Sequence, residues 1–205
     1  MTRRNPVRPA ARAAALAVLV SALASMPAKA DAIFAVFANP ASGALAVKGA
    51  PADADMAKLG ALKIESVDFG IENTLVIDPE QGAVGPGRPR FRTLTMTLPL
   101  GAGVPALLQT SAAGGHYGDV TLHFREDGEE PVEYATLSLK VVAISAVEIS
   151  APAGEPPQAT VDLTFGSMKL EFFAEDASGQ PAEEPEVGQW NVMTGTADFT
   201  KVPNP

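Results

Sequence analysis

His116 and His123 are the only imidazoles in the 205-residue chain, and no cysteine accompanies them. A zinc site asks for tetrahedral N, S and O ligands, and two histidines without a thiolate leave little for one. His123 lies in an alternating run, on the face shared by Thr121 and Arg125, and reads as a solvated histidine. His116 follows a short helical pattern, where a ring nitrogen is placed to cap a helix carbonyl, a structural role. A serine nucleophile needs a base and a strained turn that presents it. Ser111 is not at a strand-to-helix elbow, and no G-x-S-x-G occurs. Asp176-Ala-Ser-Gly179 lacks the repeated acidic ligands of a calcium loop, and Glu183, Glu184 and Glu186 read as a solvated acidic loop. The glycines between Asp78 and Pro89 lead into a strand instead of a helix N-terminus, so they form no phosphate cradle. No catalytic, cofactor-binding or metal-binding residue is assigned, and an enzyme is not expected.

Charge offers a different kind of chemistry. Arg88, Arg90 and Arg92 share parity at the entrance to a strand, while Glu126, Asp127, Glu129, Glu130 and Glu133 cluster at a later turn. In a head-to-tail ring a basic edge can meet a neighbour's acidic turn and orient the contact more than strengthen it. These arginines and acids are therefore candidate subunit contacts.

The elements that must position them are mostly strands. Leu94, Met96 and Leu98 alternate with Thr93, Thr95 and Thr97 over Phe91–Leu98, a period of two that predicts a half-buried strand. Pro105 to Ala113, followed by Gly114 and Gly115, has proline near its start and glycine past its end, as a short helix requires. Strands are predicted at Ile33–Phe37, Leu62–Ile71, Val120–Glu126, Val132–Lys140 and Val141–Ile149, with a last one at Trp190–Val192. Asn39–Gly43 reads as a turn after which Leu45–Val47 pairs back, and Ala50–Gly60 as a loop with at most one helical turn. Ala151–Gln158 is a Pro-rich loop. Val161, Leu163 and Phe165 alternate in one phase and Met168, Leu170 and Phe172 in the other, with Gly166 at the switch, where a bulge is expected. About eight strands and one short helix predict an all-β chain closed as a barrel or tight sandwich.

The N-terminus has its own code. Arg3, Arg4, Arg8 and Arg12 precede an apolar run from Ala13 to Ala24, too short to span the ~30 Å hydrocarbon core. Ala28-Lys-Ala30 supplies the small residues that signal peptidase reads, so residues 1–30 are expected to be a cleaved export signal. Residues 31–193 are then the barrel and 194–205 a C-terminal tail, in a periplasmic or extracellular protein. The leader holds five of the 15 Lys and Arg and no acid, so its removal leaves ten basic against 24 acidic residues, formally −14. A surface that acidic repels phosphate backbones, so nucleic acid is not an expected partner. No segment of the mature chain is expected to cross a membrane.

Several segments, in order, resemble the haemolysin-coregulated protein (Hcp) family, the inner-tube subunits of bacterial type VI secretion. They are Thr97-Leu-Pro-Leu100, Pro105-Ala-Leu-Leu108, Gly115-His-Tyr117, Val120-Thr-Leu122, Val132-Glu-Tyr134, Thr164-Phe165 with Glu171, Asp176-Ala-Ser-Gly-Gln-Pro181 and Trp190-Asn191. The resemblance runs from about Ile33 to Val192. It implies an antiparallel β-barrel with one flanking helix, hexameric rings stacked into a tube, and a non-catalytic conduit and carrier for effectors. Three features depart from the family pattern. The leader is unusual; Leu98, Gly101 and Gly115 stand where Lys, Asp and Lys are common; and Asn39–Gly43 looks inserted. An exported, stand-alone barrel that binds a partner at a strand edge is the other expectation.

Overall fold

The computed structural model describes residues 31–74, 76–78, 83–85, 87–126, 131–174 and 181–200. The leader, Asp127, Glu129, Glu130, the Asp176–Gly179 turn and residues 201–205 lie outside the described residues.

One antiparallel sheet is the frame. Its strands are β1 (Asp31–Ala41), β2 (Leu62–Ile64), β3 (Ser66–Asp68), β8 (Leu94–Pro99), β9 (His116–Glu126), β10 (Glu133–Ser150), β11 (Gln158–Phe172) and β12 (Glu186–Asn191). The short strands β4 (Ile71–Asn73), β5 (Val76–Asp78), β6 (Ala83–Gly85) and β7 (Pro89–Phe91) lie outside it. The frame runs β2-β1-β9-β10-β11-β8-β3, with β12 also paired to β11. β2 and β3 stand at opposite ends of that order yet are separated in the chain only by Glu65. One segment therefore pairs with β1 through its first half and with β8 through its second, and the Glu65 N–H donates to the Thr97 carbonyl at 2.8 Å. This closes the sheet into a barrel and removes the edges that an open sheet would expose.

Alternation places the core as expected. Leu94, Met96 and Leu98 point inward with Val120, Leu122, Leu137, Leu139, Val161 and Leu163, all buried. Helix α2 (Val104–Ala113) adds Val104 and Leu107 to the same cluster. Complete burial of a leucine such as Leu107 contributes about 2 kcal/mol of transfer free energy. Pro105 sits in the first turn of α2, and Gly114 ends the helix in the left-handed conformation at φ 66°.

Four expectations change. The single strand Leu62–Ile71 is three, because its halves serve different neighbours at the barrel corner. The described residues of the 78–89 loop belong to an arm of two short ladders, β4 with β7 and β5 with β6. Leu45–Val47 forms no strand. Finally, Val132–Lys140 and Val141–Ile149 are one strand, β10, while the two runs around Gly166 together make β11.

The phase slips in those two strands have a common explanation. Inward positions change parity in β10 between Leu139 and Val142, and in β11 between Leu163 and Met168. The pairing nevertheless continues unshifted from Ala135↔Phe172 to Ile144↔Leu163, so no bulge lies at Gly166. Both strands reverse face together, with Val141 at φ 53° opposite Gly166. A Cβ on Gly166 would stand 2.5 Å from the Met193 sulfur and 3.3 Å from the Val141 Cβ, which is why glycine serves there. The register shift falls instead between Ile144 and Ala146.

Outside the barrel, helix α1 (Ala54–Lys58) is a single short turn capped by Asp53, whose Oδ1 accepts from the Asp55 and Met56 amides at 3.0 Å each. Met56 and Ala61 bury the outward-facing Ala32 and Phe34 of β1, making a second, smaller core.

Candidate subunit-contact surface

The three arginines lie on and beside the β4–β7 arm. Arg90 pairs across the ladder from Glu72 and is exposed, as is Arg88. Arg92 lies against the backbone of Gly70, where a Cβ would stand 2.3 Å from its guanidinium, and reaches Asp68 at 3.6 Å. Half its side chain remains in solvent. Glu126 ends β9 opposite Asp31, and its amide donates to the Val132 carbonyl. Three ladders, β9–β10, β10–β11 and β11–β8, separate β9 from the strand that follows the arm. The basic edge and the acidic turn therefore belong to different parts of one subunit's sheet order.

Glu133 and its neighbours His123 and Arg125 are engaged within the subunit. The His123 Nδ1 is 2.6 Å from the Glu133 Oε2, and the ring is mostly covered. Arg125, expected on a solvated face, is 7% exposed. It pairs with Asp53 at 2.9 Å and donates to the Pro131 carbonyl at 3.0 Å, while its Nε is buried without a hydrogen-bond partner. The cause is the 50–61 segment, which covers this face of β1 and β9 and brings the α1 cap onto Arg125. His116 is not the helix cap either. The carbonyls of Ser111 and Thr110 are taken by the Gly114 and Gly115 amides, and His116 sits within β9 between Ala41 and Ala143.

A closed polar cycle fixes α2 to the barrel. The Leu45 amide donates to Thr110 Oγ1 at 3.0 Å, Thr110 Oγ1 lies 3.1 Å from the Tyr117 hydroxyl, and that hydroxyl donates to the Leu45 carbonyl at 2.9 Å. Thr110 and Tyr117 are fully buried, and burial pushes the Tyr117 pKa up, so its hydroxyl stays protonated. Tyr117 also meets Phe37 edge-to-face at 5.0 Å. Nothing in the local pattern announced this cycle, because Leu45 and Tyr117 are 72 residues apart.

On the other side, Trp190 of β12 pairs across from Met168. Together with Ile71, Phe91, Leu170 and Gly188 it lines an open, largely apolar groove of about 470 Å³ between β12 and the arm. Among the described residues no three His, Cys, Asp or Glu side chains converge as metal ligands, and no helix is long and apolar enough to cross a membrane.

Comparison with known proteins places this geometry. The family model described as "Type VI secretion system effector, Hcp" matches residues 42–172. Protein hcp1 of Pseudomonas aeruginosa is 29% identical over 101 residues, which is 48% of this chain and 62% of that relative. A solved type six secretion system protein superposes with a TM-score of 0.71 at 15% identity, covering 82% of this chain and 99% of its own. Hcp1 from Salmonella typhimurium gives 0.61 at 16% identity, covering 82% and 98%. A type VI secretion effector from Yersinia pestis gives 0.58 at 14%, covering 78% and 99%. With its barrel closed through Leu62–Asp68 and the family match running from the first turn to the end of β11, the chain belongs to the Hcp family of type VI secretion.

Proposed function

We propose that this chain is a ring-forming, non-catalytic tube subunit that acts as conduit and carrier for effectors. The observation that supports this reading is the closed Hcp-like barrel, which covers 98–99% of the lengths of the solved relatives. Ring contacts are assigned to the arm that bears Arg88, Arg90 and Arg92 and to the turn that bears Glu126, Asp127, Glu129 and Glu130. One subunit presents its exposed arginines to its neighbour's acids, a head-to-tail contact that closes by rotation. Because Arg88 and Arg90 are exposed, the contact is screened by salt and orients the subunits, while apolar area holds them. Reversing Arg90 and Arg92 to Glu is expected to convert rings to monomers in sedimentation at moderate salt. Unchanged sedimentation would remove these arginines from the interface.

The N-terminal sequence favours a second reading. Residues 1–30, cleaved after Ala28-Lys-Ala30, direct the chain to the periplasm or beyond. There it serves as a stand-alone barrel whose groove beside Trp190 takes a partner strand. Fusing Met1–Ala32 to a periplasm-dependent reporter is expected to give an active, processed reporter. An inactive fusion retained in the cytoplasm would contradict export.

A further inference from the structure

Among the described residues strand β12 has one strand neighbour, β11, and beyond it the chain adds only an isolated bridge between Asn191 and Thr196. A six-residue strand with a free side is marginal unless something else holds it. Residues 192–200 supply that hold. The chain reverses after Asn191, whose Oδ1 accepts from the Met193 and Thr194 amides at 3.0 and 2.9 Å, and Gly195 turns at φ 68°. The Asn191 amide then donates to the Thr196 carbonyl at 2.7 Å. Three side chains on β12 and β11 read three successive carbonyls of the returning segment. Gln189 donates to Ala197 at 2.8 Å, Asn191 to Asp198 at 3.2 Å and Ser167 to Phe199 at 3.1 Å. Ser167 and Asn191 are fully buried beneath it.

Phe199, the only aromatic residue after Trp190, is 9% exposed. The ammonium groups of Lys140 and Lys169 stand over its ring, 5.3 and 5.7 Å from the centroid. Neither lysine is loose. Asp119 of β9 holds Lys140 at 2.7 Å, and Glu171 holds Lys169 at 2.9 Å. The ring thus sits in a clamp built across the outward faces of three adjacent strands, at the level where Lys140 pairs with both Asp119 and Ser167. Burial would raise the Asp119 pKa, but hydrogen bonds from Lys140 and Asn39 and the charge of Lys140 outweigh it and hold the carboxyl below its ordinary value.

We propose that residues 192–200 are a clasp that holds β12 in the barrel, with Phe199 as its anchor and Lys140 and Lys169 as its jaws. The clasp fixes the wall of the groove that Trp190 lines, so releasing Phe199 loosens β12 and leaves the rest of the barrel folded. The test is amide hydrogen exchange on the intact protein, wild type against Phe199→Ala and Phe199→Leu. Exchange across 186–193 is expected to accelerate at least tenfold in Phe199→Ala while β9 amides between Tyr117 and Arg125 keep their wild-type rates. Phe199→Leu, which keeps apolar bulk but offers no ring face to the lysines, is expected to fall between the two. Wild-type exchange across 186–193 in Phe199→Ala would overturn the clasp. Equal acceleration of β9 and β12 would overturn it too, since Phe199 would then be ordinary core. A Phe199→Leu variant that matches wild type would remove the lysine jaws.

Discussion

Tyr117 joins parts of this chain that lie 72 residues apart. Its ring packs on Phe37 of β1, and its hydroxyl completes the cycle that joins α2 to the 42–48 turn. Removing that hydroxyl leaves the buried Thr110 Oγ1, and the partly covered Leu45 carbonyl, with fewer partners. Such orphaned groups cost about 1–3 kcal/mol. Tyr117→Phe is therefore expected to lower unfolding stability by that amount in a urea titration without changing the m-value, and a midpoint equal to wild type would contradict the role assigned to the cycle. At this scale the sequence was least informative. Thr110, Tyr117, Arg125 and Asp53 carry ordinary residue types, and their partners are set by topology, with Arg125 meeting Asp53 from 72 residues away. Arg125 looked solvated because strand alternation marks a face as outward without saying what lies on top of it.

Elements were far more legible, with errors of one physical kind. Period-two alternation located β8, β9, β10 and β11, a compact apolar run located β1, and the Pro–Gly asymmetry located α2. Reversals of phase were read as breaks, whereas β10 and β11 reverse face together and keep their pairing. The short ladders were missed because three-residue strands are too short to show a period and they flank or lie within the glycines and prolines of the 78–89 stretch. Two departures from the family pattern account for each other at this scale. A Cβ on Gly115 would stand 2.5 Å from the Ala44 amide nitrogen and 2.9 Å from the Gly43 carbonyl carbon, so the backbone where the 39–43 segment ends occupies the space of any side chain there. Gly115→Lys, which restores the residue common in the family, is expected to destabilise the chain by about 2 kcal/mol through overpacking. A thermal midpoint unchanged from wild type would contradict this coupling. Leu98 departs for another reason: it is 2% exposed within the barrel core, where a lysine would be buried without a partner.

For the whole molecule, barrel closure follows from one segment serving two strands, and the ordered set of short segments from Thr97 to Asn191 identified that barrel before its ladders were seen. Assembly was not legible in the same way. Subunit contacts depend on which charged side chains remain available once the chain has folded, and Glu133 and Arg125 are already engaged within it whereas Arg88 and Arg90 stay exposed. The acidic balance of the chain, formally −9, keeps subunits apart unless specific contacts orient them. The measurement that bears most directly on this account is negative-stain microscopy of purified residues 31–205 at high protein concentration. The account predicts six-membered rings with a central pore. A uniform field of single barrels under the same conditions would contradict it.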